Sequence, residues 1–444
     1  MRRNRGPLLA GLTLLLLLSI APANLEAVGI LQKPRDNERD ALLAVTPEFV
    51  VSNVTLINKE LSPGGLNNTS AFDVCGADLG SMFDWNNRVY IAFGDTFGCP
   101  LTAQSQPNWR SNTLAYTTDT TPAGGIVFDA YILGPDAKAK ENIANDAGPP
   151  EETAITTYGV SVGNTGYLFY FEGTIVPDWT CNYSSAAKST DAGQNWTKMP
   201  SLVWLPGNFN QVAIYKQDGF VYFFGIPCAR AGGVKLMRVA EGSIENKAAY
   251  QYFGGYILGT PAWYAEEQPI FIVPPGVGEL SVRWNPYLGK YMMMYIHDDP
   301  PGFGRGIEMR TAPNLWGPWS EPVFVTSGAT YPCIYAPYTR EGYEENSGKT
   351  VYFRASRQCP GFDPYSTYWM KLTLAAANPG DANGSGGPAD MLDALAAARC
   401  TLDLIDCSTI VQIAADVDCT ASVTMLDALF IARKVLNLIL NYPC

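Results

Sequence analysis

The sequence predicts a mainly β chain, a five-bladed β-propeller followed by a small all-α domain, and three observations predict it. A turn residue leading into an aromatic-rich strand recurs five times between about residues 40 and 375. The 42 glycines and 32 prolines punctuate the chain too often for a helical bundle. Past residue 387 the aromatics nearly vanish, and a helical period with an internal duplication takes over.

At 444 residues the chain is too long for one simple core and suits one large domain plus a small one. Hydrophobic residues make up 47% and charged residues only 16%, which describes a folded chain and not a disordered one. Acids outnumber bases 42 to 30, for a net charge of −12 with no basic run. That balance excludes nucleic-acid binding, because phosphate affinity needs clustered Lys and Arg. The lone histidine, His297, excludes zincins of the HExxH type, three-His zinc and paired-His metal centres. Chemistry is left to carboxylates, to tyrosine, or to a triad built on that single histidine.

The N-terminus sets the compartment. Arg2, Arg3 and Arg5 precede the apolar run 8–20, and Ala21-Pro22-Ala23 offers small residues to a signal peptidase, so residues 1–27 are expected to be a signal peptide. The run is shorter than the roughly 20 residues that a transmembrane helix needs, and no second run of that length follows. The mature chain is therefore expected to have no membrane span and to be secreted or held at the cell surface. Ten cysteines in an exported chain are expected to pair. Six (Cys75, Cys99, Cys181, Cys228, Cys333, Cys359) fall in the β region and four (Cys400, Cys407, Cys419, Cys444) in the tail, even counts that permit pairing within each part.

Residues 28–64 form an N-terminal segment and 65–375 the propeller. Its repeated strands are Asn87-Arg-Val-Tyr-Ile-Ala-Phe-Gly94, Gly166-Tyr-Leu-Phe-Tyr-Phe171, Gly219-Phe-Val-Tyr-Phe-Phe-Gly225, Gly289-Lys-Tyr-Met-Met-Met-Tyr295 and Gly348-Lys-Thr-Val-Tyr-Phe353. Their spacing, roughly 55 to 78 residues, fits four-stranded blades with long loops. Ser189-Thr-Asp191-Ala-Gly193-Gln-Asn-Trp196 resembles the S-x-D-x-G-x-x-W hairpin of sialidase-type propellers. Asp191 is accordingly expected to form a turn and not to catalyse.

Residues 376–444 form the small domain. Met391-Leu-Asp393-Ala-Leu-Ala-Ala-Ala-Arg399 repeats as Met425-Leu-Asp427-Ala-Leu-Phe-Ile-Ala-Arg433, each copy behind an oxygen-rich loop. Oxygen side chains on alternate residues of a tight loop, with a carboxylate at position 12, converge as an EF-hand-type calcium loop requires. The duplicated loop-helix resembles a type I dockerin, the module that docks onto a cohesin on a scaffold or cell surface. That resemblance implies one calcium held by Asp416, Asp418, Thr420, the Ser422 carbonyl and Asp427, and a second by Asp381, Asn383, Ser385 and Asp393. It also implies a cohesin-bearing partner. The first loop is one residue longer, absorbed at Gly386-Gly387, and Ala421 stands where a glycine usually turns the second.

Within the propeller, carboxylates beside glycines at strand ends are the candidates for chemistry. Asp78 in Gly76-Ala-Asp78-Leu-Gly80 and Asp95 in Phe93-Gly94-Asp95-Thr96 flank the first aromatic strand and are expected at one end of a hairpin. Glu279, in Gly278-Glu279-Leu-Ser281-Val-Arg283, is a third, with a surface pairing to Arg283 as its plainer reading. Two carboxyls amid aromatics are what glycoside cleavage asks for: one donates a proton to the leaving oxygen while the other attacks or activates water. An Asp beside Gly is otherwise a turn-former, and His297-Asp298-Asp299 reads as an ordinary loop.

The same motifs, with Asn210-Gln-Val-Ala-Ile, Gly278-Glu-Leu-Ser-Val-Arg-Trp-Asn-Pro-Tyr287 and Ile307-Glu-Met-Arg-Thr-Ala-Pro313, resemble a family long catalogued as a domain of unknown function that includes the endo-D-arabinanases of glycoside hydrolase family 183. The resemblance implies a five-bladed propeller that cuts internal bonds of D-arabinan, the furanose polymer of mycobacterial-type cell walls. Asp78 and Asp95 then match the acidic pair, Glu279 a modulator or substrate contact, and Cys75 and Cys99 a clamp on the acid-bearing loops. The competing reading is a non-catalytic glycan-binding propeller displayed on a scaffold or cell surface.

Overall fold

The computed structural model describes residues 47–145, 151–174, 180–228, 230, 232–297, 306–362, 364–377, 389–402, 404, 415, 417 and 423–436. The expected signal peptide and the calcium-loop residues Asp381, Asn383, Ser385, Asp416, Asp418, Thr420 and Ser422 lie outside the described residues.

The described chain is mainly β, and its sheets are antiparallel throughout. Strand β1 (Phe49–Lys59) comes first. β2 (Gly76–Trp85), β3 (Arg88–Phe97), β4 (Thr113–Thr117) and β5 (Ala130–Tyr131) then form a sheet in chain order. β6 (Glu151–Val162), β7 (Thr165–Thr174), β8 (Thr180–Ser189) and β9 (Thr197–Lys198) form the next. A nine-stranded sheet follows, made by β10 (Gln211–Gln217), β11 (Phe220–Ile226), β12 (Gly232–Ala240), the side hairpin β13 (Gln251–Ile257) and β14 (Thr260–Tyr264), then β15 (Phe271–Asn285), β16 (Lys290–His297), β17 (Gly306–Ala312) and β18 (Val323–Ser327). It divides at β15, whose first half pairs with β12 and whose second half pairs with β16. The last sheet runs β19 (Ile334–Glu345), β20 (Thr350–Gln358) and β21 (Tyr365–Ala376), and β1 completes it beside β21. The N-terminal segment thus supplies the outer strand of the last sheet.

Strands β2, β6, β10, β15 and β19 pack in a closed cycle, each against the next and β19 against β2. The five aromatic runs of the sequence are β3, β7, β11, β16 and β20, each the strand that directly follows one of these five and so second in its group. Their side chains are buried almost without alternation. A second strand has neighbouring sheets on both faces, and a strand covered on both faces reads as a continuous apolar run. Phe169 of β7 meets Phe223 of β11 with ring centroids 4.8 Å apart, one such contact between sheets.

The Ser189–Trp196 hairpin behaves as expected. Asp191 accepts hydrogen bonds from the Ser189 hydroxyl and from the Asn195 backbone and side-chain nitrogens. Burial alone would raise its carboxyl, but those donors outweigh it and hold the group low. Trp196 packs on Trp85 of the neighbouring sheet, centroids 5.9 Å apart.

In the tail, α1 (Met391–Thr401) and α2 (Met425–Val435) pack together around Ala394, Ala397, Ala428 and Ile431. Each begins with a capping box, in which Asp393 or Asp427 at the third position returns to the backbone N–H of the cap residue, Asp390 or Thr424. Three disulfides, Cys75–Cys99, Cys181–Cys228 and Cys333–Cys359, pair the six cysteines of the β region with one another. No helix among the described residues is long and apolar enough to cross a membrane.

Candidate active site

Hairpin β2–β3 brings the two predicted aspartates together. Its register pairs Ala77 with Thr96 and then Leu79 with Phe93, so Asp78 stands opposite the extra residue of a bulge formed by Gly94 and Asp95. Gly94 is needed there: a Cβ on it would lie 2.5 Å from Asp78 Oδ1 and 2.9 Å from Leu79 Cδ1. Two other strands of the closed cycle bulge where they deliver a site residue. β15 slips between Val277 and Leu280, at Glu279, and β19 slips between Tyr335 and Tyr338.

The Tyr335 hydroxyl donates to Asp78 Oδ2 at 2.7 Å. Burial pushes the Asp78 carboxyl up to about 6, against the hydrogen bonds of Tyr335 and Tyr365 and the charge of Arg230, with Glu279 adding to the rise. Asp95 Oδ1 accepts from Trp109 Nε1 at 2.8 Å. Burial pushes Asp95 up to about 7, reinforced by the charge of Asp78 and opposed by the Trp109 hydrogen bond. Each is a carboxyl raised toward neutrality, and the charge of Asp78 is felt at Asp95.

Glu279 sits deeper. Only 3% of it is exposed, and its Oε1 accepts from Arg230 Nε at 2.7 Å. The surface pairing with Arg283 does not form, because β15 turns Arg283 to Glu344 on the far side of the bulge, at 2.8 Å. Arg230 also lays its guanidinium over the Tyr335 ring, 4.8 Å from the centroid. His297, at the end of β16, stands 3.6 Å from Glu308 and takes no part in this cluster; Asp298 and Asp299 lie outside the described residues.

The cluster is held rigidly. Leu79, Arg230 and Ala336 adopt left-handed backbone angles, with φ of 58°, 67° and 50°, conformations that non-glycine residues keep only where the surroundings enforce them. All three disulfides of the β region fall beside site residues. Cys75 and Cys99 flank the acid-bearing strands, Cys228 stands two positions before Arg230, and Cys333 two before Tyr335. Beneath the hairpin, Arg354 and Glu60 form a wholly buried ion pair through two guanidinium nitrogens, and the third, Nη1, donates to the Gly80 carbonyl at 2.8 Å. Among the described residues no group of three or more His, Cys, Asp or Glu side chains is placed to hold a metal.

Trp109, Tyr335 and Tyr365 were not among the sequence candidates. Each reaches the acids from a loop or a distant strand, and no local motif marks it.

Residues 64–371 match the family described as a domain of unknown function, DUF4185, and the chain belongs to that family. No curated protein matches the sequence. Among solved structures, the chain is similar to a Bacteroides ovatus protein provisionally named a hydrolase, with TM-score 0.51 and 12% identity over 68% of this chain and 86% of that one. It is also similar to an α-L-arabinofuranosidase from Podospora anserina, with TM-score 0.41 and 10% identity over 75% and 98%. A third is an exo-β-1,3-galactanase from Phanerochaete chrysosporium, with TM-score 0.44 and 11% identity over 76% and 66%. At such identity the first of these likenesses concerns the fold alone.

Proposed function

We propose that this chain is an exported glycoside hydrolase that cuts internal linkages of an arabinofuranose polymer, the D-arabinan of mycobacterial-type cell walls, with Asp78 and Asp95 as its working pair. The observation that carries the reading is the pair itself: two carboxyls on one hairpin, both raised toward neutrality by burial. Near pH 7 such a pair holds one proton and one charge between its members. The protonated member donates to the glycosidic oxygen as the bond to the anomeric carbon breaks, and the ionised member attacks that carbon or draws a proton from the attacking water. Glu279 and Arg230 act behind them, Glu279 by its charge on Asp78 and Arg230 by holding Tyr335 against the same carboxyl. The arabinan assignment draws on the resemblance to family 183. The five-bladed arrangement draws support from the closed cycle of β2, β6, β10, β15 and β19.

The tail, in this reading, is a dockerin-like module that binds structural calcium and meets a cohesin-bearing partner. Asp393 and Asp427 are both fully buried. Asp427 also accepts from the Val417 N–H at 2.9 Å, so its carboxylate faces the loop that precedes its helix. A buried carboxylate turned onto an oxygen-rich loop fits a hard cation. Calcium there would offset the charge of the Asp427 carboxylate and couple metal binding to folding of the module.

The test is product analysis after incubating the mature protein with mycobacterial arabinogalactan, with Asp95→Asn as control. Arabino-oligosaccharides released by the wild type alone support the proposal. If neither protein releases them from arabinogalactan or from a panel of other furanosides, yet the wild type binds glycan, the non-catalytic reading replaces it.

A further inference from the structure

The segment 98–112, between β3 and β4, carries more anchoring than a surface loop needs. The Asp73 carboxylate accepts from the Cys99 backbone N–H at 2.9 Å and from the Asn108 side chain at 2.6 Å. Burial would raise Asp73, but these donors and Lys138 outweigh it and keep the group low. Gly98 donates to the Pro107 carbonyl at 2.7 Å, and Thr96 and Arg110 exchange backbone hydrogen bonds at 2.8 and 2.9 Å. The Arg110 guanidinium reaches the Ala139 and Asp73 carbonyls, and Cys99 is bonded to Cys75. Trp109 stands between Asn108 and Arg110, both fixed, yet the residue is itself 37% exposed. Its one polar atom points at Asp95 Oδ1.

A single exposed aromatic ring is ordinary on a protein surface, but this one is fixed through both chain neighbours and aimed at a raised carboxyl, so its open face lies where a ligand of that acid would pass. The flat C–H face of a sugar ring is the chemistry that fits, since the indole offers apolar area on its face and a donor at its edge.

We propose that Trp109 has two roles at this site: its face is the platform on which a substrate sugar stacks next to Asp95, and its N–H orients Asp95 and favours its ionised form. The first role rests on the glycoside hydrolase reading and the second does not. Trp109 is thus a substrate-contacting residue and at the same time a positioning residue for Asp95. A ligand stacked on the ring also dries the Trp109–Asp95 hydrogen bond, so occupancy of the platform and the charge on Asp95 become linked.

Two substitutions separate the roles. Trp109→Phe keeps a flat ring and removes the N–H, whereas Trp109→Ala removes both. The Asp95 midpoint, followed by isotope-edited NMR of the aspartate carboxyl carbons in the ligand-free full chain, should rise by roughly one pH unit in either variant, because the lost donor favoured the charged form. Affinity for a D-arabinofuranose oligosaccharide is measured by calorimetry in an Asp78→Asn background, so that the ligand survives. It should fall roughly tenfold with Trp109→Ala and stay within about twofold with Trp109→Phe. An unmoved Asp95 midpoint in Trp109→Phe overturns the positioning role. Undiminished affinity in Trp109→Ala overturns the platform. If the parent binds no furanoside oligosaccharide at all, the glycosidase reading falls and the platform with it, while the NMR titration still decides the Asp95 role.

Discussion

Replacing Asp78 by Asn should make the protein more stable above about pH 6 and leave it unchanged near pH 4. In the fold the carboxyl rises from its ordinary 3.8 to about 6, chiefly through burial. Because the folded-state value exceeds the unfolded one, the native state holds the proton more tightly, and its stability is full at low pH and declines as pH climbs from about 4 to about 6. A rise of about 2.2 units at 1.36 kcal/mol each is a penalty of about 3 kcal/mol at neutral pH and above. Asparagine has nearly the same shape, can still accept from Tyr335, and carries no charge, so the variant recovers most of that amount. The effect on Asp95 has the same sign, since the Asp78 charge contributes to its rise. Scanning calorimetry of both proteins at pH 4, 6 and 8 reads the outcome as a Tm difference that starts near zero and grows to several degrees. Turnover should drop by several orders of magnitude in the same variant, the usual exchange of stability against function at an acid held out of water. A Tm difference that is flat across pH, or a variant less stable than wild type at pH 8, would refute the account of why this carboxyl is raised.

Gly94→Ala should lower kcat about a hundredfold with an unchanged circular dichroism spectrum, because the new methyl displaces the Asp78 carboxyl by a fraction of an ångström or more; near-normal kcat would mean the carboxyl is not used where it stands. Arg230→Met strips the ion partner from a carboxylate only 3% exposed and should cost about 3–5 kcal/mol in urea unfolding, largely restored by adding Glu279→Gln. If the double variant is no more stable than the single one, the two residues do not act as a pair. Mild reduction should abolish activity while the β-sheet signal persists, since all three described disulfides flank site residues; equal loss of both would make the disulfides general supports of the fold. If the tail binds calcium as proposed, a chelator should reduce the helical signal and leave unfolding of the β region in place, and a chelator-insensitive spectrum would count against metal in the tail.

The fold was legible because its signal is local and repeated. Each second strand carries an aromatic run after a turn residue, and burial on both faces is what makes those runs continuous. The meeting of Asp78 and Asp95 was legible for a related reason: they lie on one hairpin, within reach of sequence spacing. Asp191 shows the limit of such reading, since it too is an Asp close to a Gly. Its donors come from its own turn and hold it ionised, whereas Asp78 is surrounded by side chains from β19 and β21 that strip its water. Tyr335 is separated from Asp78 by 257 residues, and only closure of the strand cycle joins them. The bulges that aim Asp78, Glu279 and Tyr335 were equally hidden, because one extra residue in a strand leaves no compositional trace. Glu279 drew its partner from a loop before β12 and not from its own strand for the same reason.

The placement of β1 ties closure of the fold to the geometry of the acids. The strand that completes the last sheet leads directly into Glu60, whose carboxylate holds the Arg354 guanidinium at 0% exposure. Arg354 in turn holds the Gly80 carbonyl, two residues beyond Asp78, and a Cβ at Gly80 would fall 2.6 Å from its Cδ. The left-handed angle at Leu79 therefore sits under a buried charge pair whose acid directly follows the β1 strand docked on β21. A carboxyl raised by burial needs such a frame, because the neighbourhood that excludes water from Asp78 also penalises its charge and would relax if the strand could shift. Completing the sheet and fixing the acid are, at this corner of the molecule, one structural event.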